Sequence, residues 1–148
     1  ERWKSVPNID RLYRQRSVIT DGVDSPYVMR AIGAFESIFV LMEDALGDGR
    51  PFLIGDQFTL AEVNFGPFMK VLEMVRFIDF WLEPYPRVRD WWDRLAKRPS
   101  MQQLDTFPSN ALAEDSPHAR TGTETRPAFE AKVSEYREAF AHAYRKRN

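Results

Sequence analysis

Apolar residues recur at intervals of three and four along most of the chain, which is the spacing of one face of a helix. The longest such row begins after Ser25 and Pro26, a serine cap followed by a proline suited to the first helical position, and ends at Gly47 and Gly49. Its members are Val28, Ala31, Ile32, Phe35, Ile38, Phe39, Met42, Ala45 and Leu46. The row predicts a long amphipathic helix that buries one whole face.

A second row, within residues 52–75, follows a strong helix-start signal. Thr59 and Glu62 have the spacing of a capping box, in which the threonine oxygen accepts a backbone hydrogen bond and the glutamate accepts one from the threonine N–H. The apolar positions that follow are Leu60, Val63, Phe68, Val71, Leu72 and Val75. We predict that this helix is the buried centre of the fold, with a kink where Gly66 precedes Pro67.

Further helices are predicted on both sides of this centre. Residues 9–20 follow a helix entry formed by Val6, Pro7 and Asn8. Residues 87–97 follow a proline and carry an inner stripe of valine, tryptophan and leucine. The organisation that we expect is a helical domain over 1–105, a polar linker over 106–125 that is rich in Ser, Thr and Pro, and a C-terminal extension helix over 126–147.

The central pattern FLIGDQFTLAEVNFGPF, followed later by PRVRDWWDRLAKRPSMQ, resembles the C-terminal all-helical domain of glutathione transferases. The resemblance covers residues 27–103 and implies an all-α helical bundle. Glu62 stands where the family usually has aspartate, and the longer acid still caps the helix. In that family the thiol-activating and glutathione-binding residues lie mainly in an N-terminal thioredoxin-like domain that this sequence lacks. The resemblance therefore implies glutathione as cofactor, held mainly by that missing domain.

Two features resemble one branch of the family. The segment VPNIDRLYRQR stands before the long apolar helix, and a tail helix follows the last helix of the domain. Both are similar to bacterial glutathione-dependent β-etherases and related fungal enzymes. Because the chain also begins at Glu1 rather than methionine, we expect that an N-terminal part, including the first helix of the helical domain, precedes it. The alternative is a processed chain that is otherwise complete.

Composition and charge exclude some classes of partner and site but do not identify a ligand. The net charge is −1, from 21 basic and 22 acidic residues, so we expect neither nucleic acid nor a membrane surface as a partner. The chain has no cysteine, so a disulfide framework and a thiolate nucleophile are excluded, and a reducing cytoplasm is the expected compartment. The two histidines, His118 and His142, do not form the spacing of a metal-ligand motif. We expect neither a metal site nor a catalytic residue in this chain.

Basic residues cluster on the first predicted helix. Arg14 and Arg16 flank Tyr13, with Arg11 and Lys4 nearby. Guanidinium groups bind carboxylates through two parallel hydrogen bonds, so this group could hold the glycine carboxylate of glutathione or an acidic substrate. The alternative is a basic outer face that pairs with neighbouring acids.

An aromatic cluster is the second candidate for substrate contact. Its members are Trp81, Tyr85, Trp91 and Trp92. Aromatic walls suit planar phenolic substrates, but alternation with Val88 and Leu95 also fits simple core packing. The residues that we assign to substrate binding are therefore Tyr13, Arg14, Arg16 and Trp81.

Two functions follow from the resemblance. The first is the substrate-pocket part of a glutathione transferase-like enzyme that acts on a hydrophobic, electrophilic aromatic small molecule by attack of the glutathione thiolate. The full-length protein would be a homodimer, and the 148-residue chain alone would be inactive. The alternative is a non-catalytic helical module that binds other proteins.

Overall fold

The structure, a computed structural model, describes residues 8–106 and 116–145. Within these ranges the chain is helical and contains no strand, so the predicted all-α class is confirmed. The helices are α1 Ile9–Asp21, α2 Pro26–Ala45, α3 Leu60–Met74, α4 Ile78–Leu82, α5 Pro86–Ala96, α6 Pro99–Gln102 and α7 Pro117–Arg145. Two short 3₁₀ helices, Gly22–Asp24 and Gln103–Thr106, follow α1 and α6.

The described chain divides into two compact units. The first comprises residues 8–36 and 128–145, and the second comprises residues 37–106 and 116–127. Helices α2 and α7 each contribute residues to both units.

Polar contacts between distant parts of the sequence hold the first unit together. Glu36, on α2, is only 3% exposed, and its carboxylate accepts hydrogen bonds from Arg137 of α7 at 3.1 and 2.8 Å. A buried charge is tolerated only when it is paired in this way. A smaller contact joins the hydroxyl groups of Ser17 and Ser25, at 2.9 Å. Within the first unit, α2 and α7 are therefore linked by an ion pair.

Helix α1 begins and ends where its sequence predicts. The Asn8 side chain accepts a hydrogen bond from the backbone N–H of Arg11 at 2.9 Å, which caps the first turn. Gly22 has a φ of 57° and its N–H donates to the carbonyl of Val18, which closes the last turn. None of the residues of α1 is buried, so its apolar row, including Ile9 and Ile19, lies on the surface.

The second unit is built around α3, α4 and α5. Helix α5 buries the predicted stripe, and α4 adds Trp81 and Leu82. The stripe consists of Val88, Trp91, Trp92 and Leu95. Phe39 from α2 packs against this core, with its ring edge-on to Trp81 at 5.9 Å between centroids. The aromatic core of this unit is therefore assembled from α2, α4 and α5.

The cap of α3 is formed as predicted. The Thr59 hydroxyl oxygen accepts from the N–H of Ala61 at 3.2 Å, and the Glu62 carboxylate accepts from the N–H of Thr59 at 2.8 Å. The helix continues through Pro67, so the Gly66 and Pro67 pair is not a helix boundary.

The predicted buried row of α3 is wrong in most of its members. The side chain of Leu60 is 76% exposed, and Val63, Phe68 and Val71 are also exposed, while Leu72 is buried. The inward face is the opposite one, formed by Glu62, Gly66, Met69 and Leu72. Both faces of this helix are apolar enough to be buried, and tertiary contacts decide between them. The Glu62 carboxylate turns inward to accept from the N–H of Leu53, and the missing side chain of Gly66 admits Met101.

Helix α7 begins nine residues before the predicted extension helix, at Pro117 instead of residue 126. Ser116 caps it by accepting from the N–H of Ala119 at 3.1 Å, and proline suits the first turn. The Thr123 hydroxyl donates to the carbonyl of Ala119 at 2.9 Å, so this polar side chain is satisfied within the helix. A polar composition that predicted a loop therefore forms helix over 117–125. The remaining linker residues 107–115 lie outside the described part of the chain.

Replacing Thr59 with alanine should lower the free energy of unfolding by about 1 kcal/mol, because the cap of α3 loses its side-chain acceptor. The midpoint of urea unfolding measures this change. Thr20→Ala, at an exposed threonine of α1, is the control and should not lower the midpoint. An unchanged midpoint for Thr59→Ala would show that this cap does not hold the start of α3.

Candidate functional site

Two cavities lie along α1. Tyr13 and Arg16 line the smaller one, of about 260 Å³, together with Ile9 and Leu12. These four positions are spaced as one helix face, so a phenol and a guanidinium lie among aliphatic side chains. Such a surface suits a ligand that carries a carboxylate beside an apolar group.

Arg14 lines the larger cavity, of about 580 Å³. The other lining residues are Gln15, Val18, Ile19 and Tyr27. Tyr27 belongs to α2, so this cavity is formed by two helices. Its volume and its apolar surface, from aliphatic side chains and one aromatic ring, are sufficient for a drug-sized molecule. The structure therefore brings Tyr13 and Arg16 together and places Arg14 in a separate cavity.

The arginines of α1 differ in how their charges are paired. The Arg14 guanidinium lies 3.1 Å from the Asp10 carboxylate, in an exposed pair of the kind that contributes little to stability. Arg16 has no ion pair with any residue that the structure describes. A basic face that pairs with nearby acids thus accounts for Arg14 but not for Arg16. Lys4 lies outside the described residues.

Trp81 lies in the core of the second unit. Its side chain is 2% exposed, and Phe80 stacks on it with ring centroids 5.9 Å apart. The other aromatic residues of the predicted cluster, Tyr85, Trp91 and Trp92, are buried as well. The Trp92 indole N–H donates to the carboxylate of Glu73 at 3.0 Å. Core packing, the alternative drawn from the sequence, accounts for the burial of all four.

Glu62 is the most completely buried carboxylate among the described residues, with 0% exposure. Burial raises its pKa, but hydrogen bonds from the N–H of Leu53, the N–H of Thr59 and the Thr59 hydroxyl lower it, and the net shift is downward. The three donor–acceptor distances are 2.7, 2.8 and 2.9 Å. Glu62 is therefore held ionised as a structural acceptor, joining the start of α3 to the preceding loop.

A third cavity, of about 390 Å³, was not predicted from the sequence. We call it the arginine cleft; it is lined by Leu46, Gly49, Arg50, Pro51, Arg87, Asp90 and Arg94. The signal that could have found it is the spacing of Arg87, Asp90 and Arg94, which share one face of α5. Arg50 belongs to the loop after α2, so its position beside this face of α5 depends on the tertiary structure and could not be predicted from the spacing.

Neither a metal centre nor a membrane segment is found in the described part of the chain. Over residues 8–106 and 116–145 no group of three or more acidic, histidine or cysteine side chains could hold a metal ion. No helix among those described is long and apolar enough to cross a bilayer. His118 is exposed on α7, and the side chain of His142 lies outside the described residues.

Comparison with known proteins gives one family. A model of the glutathione S-transferase C-terminal domain matches residues 14–94, which is more than half of the chain. No curated protein and no solved structure gives a match. The matched range includes the capping pair Thr59 and Glu62, the arginines Arg14 and Arg16, and Trp81.

Proposed function

The chain belongs to the glutathione S-transferase C-terminal domain family, and we propose that it is the substrate-pocket part of a transferase-like enzyme. On this proposal the enzyme acts on a hydrophobic, electrophilic aromatic small molecule, which the glutathione thiolate attacks. Glutathione itself is held mainly by a thioredoxin-like domain outside these residues. The family match, together with an apolar cavity whose lining residues all lie within the matched range, is the observation that supports it.

The larger cavity of α1 is our candidate for the aromatic substrate. Tyr27 offers a ring for stacking, Val18 and Ile19 offer aliphatic surface, and Arg14 can pair with an anionic group. Arg16 and Tyr13, in the smaller cavity, are proposed to take a carboxylate, either of an acidic substrate or of the glycine end of glutathione. Trp81 is proposed to contribute through the packing of the second unit's core rather than by contact with the substrate, because its side chain is 2% exposed.

A narrower form of the proposal is etherase-like chemistry, in which the thiolate displaces an aromatic ether. Helix α1 before the long α2, and α7 after the domain, are the features that favour this branch. The full-length enzyme is proposed to be a homodimer. A reducing cytoplasm is its proposed compartment, because the glutathione thiol must be kept from oxidation.

Because glutathione is proposed to be held and activated mainly by a domain outside these residues, the 148-residue chain should not accelerate the reaction of glutathione with an activated aryl halide. The physical reason is that no residue assigned here lowers the pKa of the glutathione thiol. The measurement is the initial rate of conjugate formation, compared with the uncatalysed rate at the same glutathione concentration. A robust rate from the chain alone would contradict the proposal. A version carrying an N-terminal thioredoxin-like domain is the positive control.

The second candidate is a non-catalytic module that binds another protein, and the exposed row of α3 favours it. Leu60, Val63, Phe68 and Val71 present a contiguous helical row of apolar side chains that a partner could cover. Retention of the full-length protein on immobilised glutathione favours the enzyme. Failure to bind, with no thioredoxin-like sequence upstream of Glu1, favours the module.

A further inference from the structure

We propose that the arginine cleft binds an oxyanion, a phosphate or carboxylate group, carried by a small organic molecule. The cleft belongs entirely to the second compact unit and shares no residue with the cavities of α1. The inference therefore goes beyond the proposed function and does not depend on it.

The fold brings the arginines of the cleft together from two places in the sequence. Helix α2 ends before Gly49, whose φ of 82° turns the chain so that Arg50 and Pro51 border the cleft. On α5, Arg87 and Arg94 lie two turns apart on one face. The Arg94 guanidinium donates to the carbonyl of Pro51 at 3.0 Å, which ties the helix to the loop.

The charges in the cleft are unequally compensated. The Arg50 guanidinium donates three hydrogen bonds of 2.6 to 3.0 Å to the Asp48 carboxylate. This contact lowers the pKa of Asp48 to about 2. The charge of Arg50 is thus paired with the Asp48 carboxylate. Arg94 has no acidic partner within ion-pair distance among the described residues. Its remaining N–H groups are available to a ligand.

Arg87 is also incompletely satisfied. The Glu43 carboxylate beside it accepts from the backbone N–H groups of Arg87 and Val88, each at 3.0 Å. The closest approach of the Arg87 guanidinium to that carboxylate is 3.6 Å, and the guanidinium makes no hydrogen bond to a described residue. Arg87 and Arg94 therefore supply two guanidinium groups whose donors are mostly unused, and Asp90 is the one acidic side chain in the lining.

The remaining lining indicates an organic ligand rather than a bare ion. Leu46 and Pro51 give the cleft apolar surface, and its volume of about 390 Å³ is far larger than one phosphate group needs. Guanidinium groups recognise the planar edge of a carboxylate or two oxygens of a phosphate through paired hydrogen bonds. An aromatic or aliphatic group attached to the oxyanion would cover Leu46 and Pro51.

Titration followed by the NMR signals of the arginine Nε–H groups tests the proposal, at constant ionic strength and with the whole chain. The probes are inorganic phosphate, phenyl phosphate and benzoate. Phenyl phosphate or benzoate should shift the signals of Arg87 and Arg94 and bind at least about five-fold more tightly than inorganic phosphate. Comparison of the two organic probes shows which oxyanion the cleft prefers. Equal affinity for inorganic phosphate and both organic probes would contradict the proposal that the cleft binds an oxyanion carried by an organic molecule.

Variants separate a site from general charge attraction. Arg94→Gln should weaken binding of the preferred probe by about ten-fold, because a charge-assisted hydrogen bond is lost. Asp90→Asn should strengthen binding several-fold, since it removes the acidic group from the lining. Lys97→Gln, an equal charge change outside the lining, is the control and should change the affinity less than about two-fold. Equal losses for Arg94→Gln and Lys97→Gln, or no gain for Asp90→Asn, would overturn the proposal.

Discussion

Replacing Glu62 with alanine is expected to lower the free energy of unfolding by about 3 to 5 kcal/mol, which is a large share of the stability of a small domain. The side chain is 0% exposed and accepts hydrogen bonds from two backbone N–H groups and one hydroxyl. Its removal leaves these donors of Leu53 and Thr59 without an acceptor. Chemical denaturation of the two proteins, followed by tryptophan fluorescence, measures the difference.

The pH dependence shows whether the charge of Glu62 is responsible. Its pKa in the folded chain lies below the ordinary value of about 4.5, so the ionised group stabilises the fold above that pH. This contribution is lost as the pH falls through the folded-state pKa. The stability difference between the natural chain and Glu62→Gln should therefore shrink as the pH falls below about 4.5. Glu83→Gln, at an exposed acid, is the control; a Glu62→Gln difference that does not vary with pH would contradict this role.

Gly122→Ala is expected to cost about 3 kcal/mol, although alanine normally stabilises a helix relative to glycine by about 1 kcal/mol. A β-carbon at Gly122 would collide with the backbone carbonyl of Val75, so the start of α7 would have to move away from the end of α3. Backbone cannot rotate out of the way as a side chain can. Thermal unfolding measures the loss of stability.

Two controls make the Gly122 prediction specific. Glu124→Ala changes an exposed position of the same helix and should have little effect. At Gly66, a β-carbon would meet the side-chain end of Met101, which can adjust, so Gly66→Ala should cost less than Gly122→Ala. A Gly122→Ala chain as stable as the natural one would show that α7 does not pack closely against α3.

The features of the fold that the sequence predicted are those that local chemistry determines. The helix entry at Asn8 and the capping box at Thr59 depend on residues within one turn, and both form as expected. The stripe of α5 has charged or polar residues on its other face, so only one side of that helix could be buried. Local signals were also present at Ser116 and Pro117, but the polar composition around them favoured a loop.

The buried face of α3 could not be predicted in this way, because apolar residues occur on both faces. The choice depends on Leu53, nine residues before Glu62 in sequence, and on Met101, which packs at Gly66. Such contacts exist only once the chain has folded. Burying a carboxylate is also contrary to the usual hydrophobic pattern, and it becomes favourable only through the donors that surround it.

In the candidate sites, too, local features could be predicted from the sequence and features that depend on tertiary contacts could not. The arginines of α1 were identified from the sequence because they are neighbours along one helix. Their separation into two cavities depends on which helix face each occupies and on Tyr27 of α2. The arginine cleft was not predicted because two of its arginines, Arg50 and Arg94, are far apart in sequence and come together only in the folded chain.

On the proposed function, these residues provide the aromatic-substrate side of a glutathione-dependent site, and most of the glutathione side lies outside them. An NMR titration of the chain with glutathione and with its S-aryl conjugate tests this most directly. We predict that the conjugate shifts the signals of Arg14, Val18 and Tyr27, with glutathione alone binding at least about ten-fold more weakly. Equal binding of glutathione and conjugate, or conjugate shifts that leave the larger cavity of α1 unchanged, would contradict the claim.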